Sequence, residues 1–195
     1  MWRIPRLDSL QVGTKLRRLL ADSRGIAVVE FAFLLPFLLT LFVSTVELGR
    51  YLLLTLKLNH AATTVADLAT RERELSVATL DNLFQSVQHI TNPFEFGPLG
   101  VVIVSGVSED GGGVRTVSWQ QRGAGSLNAG SEVGLPGELP TLPQDFVVGA
   151  NQTIVVAEVF YRYEDWLFGV ISDRVIRQVS YYRPRLGTLT ELSAG

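Results

Sequence analysis

Glu30 is the residue in this 195-residue chain whose type and position most call for a chemical explanation. It is the one charge in the 21-residue run Ile26 to Val46, IAVVEFAFLLPFLLTLFVSTV, and it stands five residues after Gly25. A carboxylate inside a spanning helix costs about 2.5–3.5 kcal/mol on insertion scales, and such residues usually have a function and a partner. One reading is simple tolerance, because Glu30 lies near the start of the run, where a membrane surface would lower the cost. The other reading uses the spacing. If the chain is cut after Gly25, Ile26 gains a charged amine and Glu30 becomes the fifth residue of the new chain. In a packed assembly of such helices the carboxylate can neutralise a neighbour's amine, and burying the pair costs less than burying either charge alone. A glycine before the cut suits a peptidase, which needs an extended and unhindered backbone.

The remaining residues offer little chemistry. There is no cysteine, which excludes disulfides, iron–sulfur clusters, thiol catalysis, acylation at cysteine and thiolate zinc sites. His60 and His89 are the only histidines and have no metal-ligand spacing around them. Gly111-Gly112-Gly113 follows Glu109-Asp110 but lacks the Lys-Ser/Thr of a phosphate loop and reads as a turn. The adjacent pairs Glu109/Asp110 and Glu164/Asp165 point in different directions and read as solvated turns. No G-x-S-x-G elbow is present. The expectation is therefore no enzyme, no cofactor and no metal. Trp119, Phe160, Tyr161, Tyr163, Trp166, Phe168, Tyr181 and Tyr182 cluster in the C-terminal half beside Arg162, Arg183 and Arg185. Strand alternation sends half of them to the core. Trp119, Tyr161 and Trp166 stand as candidates for a partner surface. Nucleic acid is not an expected partner of a region that is acidic overall.

The elements that must position Glu30 follow from composition and charge. The chain is 47% hydrophobic and 18% charged, with a net charge of −2, which excludes disorder and fits one domain plus an appendage. Residues 1–25 carry a net +4, and the remainder a net −6. The apolar run begins directly after the basic leader and is long enough to cross a bilayer core as a helix. Positive charge before the span places the N-terminus in the cytoplasm and everything after about residue 50 on the far side. A cleaved secretory signal fits poorly, since the run exceeds the usual 7–15 residues and no convincing small-x-small site follows. A plain signal anchor accounts for hydrophobicity and orientation, but it gives Glu30 no role.

The basic leader, Gly25, four apolar residues, Glu30 and a long apolar run resemble the type IV prepilin signal. Gly25-IAVV-Glu30-Phe31, Pro36 in LLPFLL and Val46-Glu47-Leu48-Gly49-Arg50 narrow this to a resemblance to the TadE/TadG-like minor pseudopilins of tight-adherence pilus systems. It continues in Leu58-Asn59-His60-Ala61-Ala62, Val65-Ala66-Asp67-Leu68, Trp119-Gln120-Gln121-Arg122, Ala157-Glu158-Val159-Phe160-Tyr161-Arg162-Tyr163 and Tyr182-Arg183-Pro184-Arg185. Major pilins of those systems are much shorter and usually carry Tyr where this chain has Phe31. The resemblance implies cleavage between Gly25 and Ile26 by a membrane prepilin peptidase, with this protein as substrate. It implies subunit docking through Glu30 and Phe31, partners among other pilins and the pilus assembly platform, and a bacterial inner-membrane location with a periplasmic or extracellular head. The alternative is an uncleaved, signal-anchored protein whose head binds an envelope ligand.

Pro36 inside the apolar run is expected to kink the helix or loosen one turn. Beyond residue 46, Leu54, Leu58, Ala61, Val65, Leu68 and Leu75 fall on one seam, so a single helix is expected from Ile26 to Glu74. Its parts are the membrane segment 26–46 and a continuation over 47–74. Ala61, Ala62, Ala66 and Ala69 allow close approach to a partner, and the first candidate is the protein's own head. That head, 75–195, reads as α+β. A second helix is expected from about Ser76 to His89, ended by Asn92-Pro93. Strands are expected at 99–107, 114–122, 153–163 and 174–185. A loop or lid rich in Gly and Pro fills 123–143, a short helix or loop 165–171, and a polar tail frays at the end. The expected fold is a long transmembrane and stalk helix with a small antiparallel-sheet head and a second helix.

Overall fold

The computed structural model describes residues 25–143, 148–165 and 169–193. The basic leader therefore lies outside the described residues. The chain divides into two compact units, Met1–Val46 and Glu47–Gly195. Helix α1 (Ile26–Ala69) contributes to both. In the first unit every residue from 25 to 42 is exposed, including the large apolar side chains of Phe31, Phe33, Phe37 and Phe42. A helix so apolar on all sides is the surface a membrane anchor presents, and it is long enough to cross a bilayer. Its few hydroxyls bond to carbonyls one turn back: Thr40 Oγ1 to Pro36 O, Ser44 Oγ to Thr40 O and Thr45 Oγ1 to Leu41 O, each at 2.8 Å. They therefore add no unsatisfied donor to the apolar surface.

The second unit is a four-stranded antiparallel sheet with helices on one face. The strands are β1 (Gly100–Glu109), β2 (Arg115–Gly123), β3 (Thr153–Tyr163) and β4 (Arg174–Tyr182), in the order β2-β1-β3-β4. All three pairings are antiparallel. Leu54, Leu58, Ala61, Ala62, Val65, Ala66 and Ala69 of α1 are fully buried in one core with Val102, Val104, Val155, Ala157, Val159 and Tyr161. Small alanines along this stripe let the helix lie close to the sheet. Leu68, expected on the seam, is only partly buried. The residues that complete the stripe are Ala62, Ala66 and Ala69.

Helix α1 ends at Ala69, five residues before Glu74. Arg71 N reaches back to Leu68 O at 3.1 Å, and Thr70 O accepts a bond from the distant Arg185 N at 3.0 Å. A segment beyond the last strand thus takes the carbonyl of the closing turn. Helix α2 (Val77–Thr91) begins where Ser76 accepts a hydrogen bond from Thr79 N, a side-chain cap, and ends at Asn92. Lys57 Nζ, from α1, donates to Ile90 O at 3.0 Å and places a cation on the negative end of α2. A one-turn helix, α3 (Phe96–Leu99), leads into β1.

The other sheet face is covered by chain, not by helices. Leu127, Val133 and Val148 of the β2–β3 connection are buried against Val101, Ile103, Val107, Val117, Ile154, Val156 and Phe160. The connection also exchanges backbone bonds with edge strand β2: Val117 N to Glu138 O and Gly137 N to Val117 O, at 3.0 and 2.8 Å. The expected loop or lid is therefore a bonded cover that hides an otherwise open sheet edge. The tail also departs from expectation. Leu189 is buried, and Ser193 bridges to Ser76, with Ser193 N donating to Leu75 O at 2.9 Å.

A β-bulge places the largest core side chain. Gly106 pairs with Trp119 but Val107 pairs with Val117, so Ser118 is the extra residue. The bulge puts Trp119 on the helix face and Val117 on the opposite one. A Cβ at Gly106 would meet the Trp119 indole at 2.2 Å, so only glycine leaves room for the ring. The indole Nε1 then donates to Leu189 O at 2.7 Å and ties the tail to the sheet. Gly106→Ala should displace the ring, break that bond and lower stability by about 1–3 kcal/mol, the usual cost of overpacking. Thermal unfolding of the detergent-solubilised full chain measures this, and an unchanged Tm would contradict the packing.

Candidate functional site

Two places on α1 carry the polar chemistry: its N-terminal end, and the point where it enters the head. At the first, Gly25 is exposed, and a Cβ built on it meets nothing within 4 Å. Glycine at this position thus answers to no packing requirement among the described residues. Ile26 is the first residue of the helix, and Glu30 follows one turn later, so both lie on one face. Phe31 is exposed beside it. An amine released at Ile26 would therefore be presented together with the Glu30 carboxylate on an otherwise apolar helix end. Pro36 lies inside the helix, which continues through it to Ala69. Its ring nitrogen has no hydrogen to give to the carbonyl four residues back.

The second place is built around Glu47, which is completely buried. Tyr163, the last residue of β3, donates its hydroxyl to Glu47 Oε1. The Tyr163 ring also meets Tyr51, one turn after Glu47, edge to face, with centroids 5.3 Å apart. Glu47 and Tyr51 thus grip the same strand end from successive turns of α1. Burial raises the Tyr163 phenol well above its usual value, and the bond to Glu47 and that carboxylate's charge raise it further. Burial also raises Tyr161, with smaller contributions from Glu164 and Glu95. Arg50 opposes the rise at both tyrosines. The pair is built to keep Tyr163 protonated as the donor to a buried carboxylate.

A third polar site, built like the second on a fully buried carboxylate, lies on the covered face of the sheet. Glu158, in the middle of β3, is fully buried. Its Oε1 accepts from Arg177 Nε at 2.9 Å and Nη2 at 2.8 Å, and from Glu132 N at 3.1 Å. Ser131 donates its hydroxyl to Oε2. Burial works against the Arg177 charge, but the bond to Glu158, that carboxylate's charge and that of Glu132 outweigh it, so the guanidinium pKa is raised. Chemically this is a clasp: it holds the β2–β3 connection onto the sheet and consumes the carboxylate's acceptor capacity in doing so.

The sequence reading overlooked Glu47 and Glu158 as sites. The only signals were a charge immediately after the apolar run and a single charge within TIVVAEVFY. Tyr163 stands out in the sequence only as one of the clustered aromatics and as the end of the family-like fragment from Ala157, with no role of its own. The structure also corrects the candidate partner surface. Trp119 and Tyr161 are 6% and 4% exposed and belong to the core beneath the helices, because the bulge and strand alternation turn both inward. Trp166 lies outside the described residues. Asp110 is an exposed turn residue as expected and accepts from Gly112 N, but Glu109 is the buried last residue of β1, where it accepts from Gly113 N and Asn151 N. Asp67 meets Arg185 at 2.6 Å and Arg71 at 2.5 Å, which joins two segments far apart in the chain.

Residues 25–67 match the family model described as TadE-like protein. That match starts at Gly25 and covers α1 to within two residues of its end. It supports a TadE-like N-terminal segment. No curated protein and no solved structure matches the chain.

Tyr163→Phe should cost about 1–3 kcal/mol at neutral pH, because it leaves the Glu47 carboxylate buried with one donor fewer. The pH dependence follows from the raised phenol. A raised native pKa contributes stability that is complete below the unfolded value of 10.0 and is lost as pH rises through the native value. The wild-type advantage over Tyr163→Phe should therefore hold from neutral pH up to about 10 and shrink above it. Urea unfolding of the two full-length proteins in detergent across that range gives the comparison; an advantage undiminished at higher pH would contradict it.

Proposed function

We propose that this chain is a minor pseudopilin that serves the assembly of a tight-adherence pilus. The first part of α1 would hold it in the bacterial inner membrane, with the N-terminus cytoplasmic and the head on the far side. A prepilin peptidase would cut between Gly25 and Ile26, and Glu30 with Phe31 would then dock the helix among other pilins on the assembly platform. The observation that carries this reading is the TadE-like match, which begins at Gly25 and includes Glu30, Phe31, Pro36 and the whole apolar run.

Two structural facts support it. A Cβ at Gly25 would meet nothing within 4 Å among the described residues, so its glycine suits recognition by a peptidase better than a role in folding. The stripe of α1 from Leu54 to Ala69 is consumed by the protein's own head, while the residues from 25 to 42 stay exposed and available to lipid or to neighbouring helices. The reading assigns the chain no catalysis, cofactor or metal, and no nucleic acid as partner. It places the chain's action in helix packing and in the contacts of its head.

Mass spectrometry of the membrane-extracted protein from its native host should find a chain beginning at Ile26. Gly25→Val should leave the leader attached. Glu30→Val should be processed nearly as well as wild type yet abolish pilus assembly, scored by electron microscopy and by sheared-fibre yield. Normal piliation in the Glu30→Val strain would remove the docking role. A retained leader in a host with active peptidase would favour an uncleaved signal anchor whose head binds an envelope ligand.

A further inference from the structure

The part of α1 that belongs to the head unit has a second face that the head does not cover. Leu48, Leu52 and Leu56 recur every four residues and are 52%, 53% and 67% exposed, with Leu53 at 44% on their flank. Gly49, between them, is exposed as well. The charged residues of this stretch all turn the other way. Glu47 is buried under Tyr163, Arg50 lies close enough to Tyr161 and Tyr163 for its charge to act on both, and Lys57 Nζ is bonded to Ile90 O. What remains is a leucine ridge free of charge. It stops at Asn59 and His60, both exposed.

The position of the ridge along the chain identifies what covers it. It begins two residues after Val46, the end of the apolar run, where an anchor reading puts the membrane surface. Leu56 lies ten residues past Val46, about 15 Å at 1.5 Å per residue. The interfacial layer of one leaflet is roughly 5–7 Å deep. A helix tilt of about 20° toward the leucine side lowers that face by only a few Å, side chains lean back toward the helix N-terminus, and local thickening of the bilayer beside the ridge supplies the rest. We propose that the Leu48–Leu52–Leu56 face of α1 lies in the phospholipid interface, so that the bilayer climbs one side of the helix while the head occupies the other. The boundary is then oblique: the head begins at Glu47 on one side, and the leucine side turns polar only at Asn59 and His60. Within the head unit, α1 then has lipid on its leucine side and the sheet on the other. This inference rests on the anchor reading of Ile26 to Val46.

The chain contains no cysteine, so single probes can be placed without background. Full-length Leu38→Cys, Leu52→Cys, Leu56→Cys, His60→Cys and Gln85→Cys variants, labelled with bimane, would be reconstituted in vesicles of phosphatidylethanolamine and phosphatidylglycerol. Nitroxide-bearing phospholipid and aqueous iodide serve as the two quenchers. The expected result is strong lipid quenching at 38, 52 and 56, with iodide quenching at 52 and 56 several-fold weaker than at 60 and 85. Labels at 52 and 56 as open to iodide as the one at 85, with 38 still quenched by lipid, would overturn the proposal and leave the anchor standing. Labels at 52 and 56 shielded from both quenchers would also overturn it and assign the face to a neighbouring protein helix. A label at 38 that lipid does not quench would remove the anchor reading and this inference together.

Discussion

One helix in this protein has to satisfy two different surroundings. Apart from the bond missing at Pro36, the backbone ladder of α1 is the same throughout, so the side chains set what the helix asks of its environment. Over its first part they are apolar on every side, and no arrangement of a small head could bury them all. Over its last part they are apolar on one stripe, and that stripe is the floor on which the sheet is laid. The alanines at 61, 62, 66 and 69 matter as much as the leucines, because a close helix–sheet approach leaves no room for larger groups at those positions. Several of the sheet's helix-facing residues, Val102, Val104, Ala157 and Val159 among them, are correspondingly compact.

Charged side chains then decide how the connecting segments lie on that core. Glu47 and Tyr163 hold the end of β3 to the start of the head's share of α1, and Glu158 with Arg177 holds the β2–β3 connection to the covered face. Lys57 closes α2, and Asp67 receives the arginine that follows β4. Buried or half-buried ion pairs are weak sources of net stability, since desolvation offsets most of the attraction. Their effect here is positional. Glu47 and Glu158 would each lose donors while still buried if the segments they join moved apart, so misplacement is penalised.

Much of this fold was legible in the residues. The apolar run, the extended first helix, the start of the second helix near Ser76, the Asn92-Pro93 stop and the four strands all follow from local composition and period, and apart from the end of the first helix their bounds agree with the structure to within a few residues. The turn at Glu109–Gly113 was legible for the same reason, since glycines with positive φ at 111 and 113 are a local demand. The long connection and the tail were not. Both lack a period, and a polar, glycine-rich segment reads as loose until a partner is seen. Leu189 and Val133 are single apolar residues in such segments, and nothing near them in sequence says that the indole of Trp119 or the far face of the sheet awaits them.

The end of α1 shows the same division. Periodicity continues toward Glu74, yet the helix stops at Ala69, where a backbone donor from beyond β4 takes the carbonyl of Thr70. By itself the sequence determined where chain must leave water, which stripes must be buried, and where the backbone must turn, because those depend on side chains within a few residues of one another. Tertiary structure alone decided that Trp119 and Tyr161 face inward, that Glu47 and Glu158 are buried with donors, and which face of α1 the head leaves uncovered. Those outcomes depend on strand order, a one-residue bulge and contacts across more than a hundred residues, and no local pattern encodes such distances.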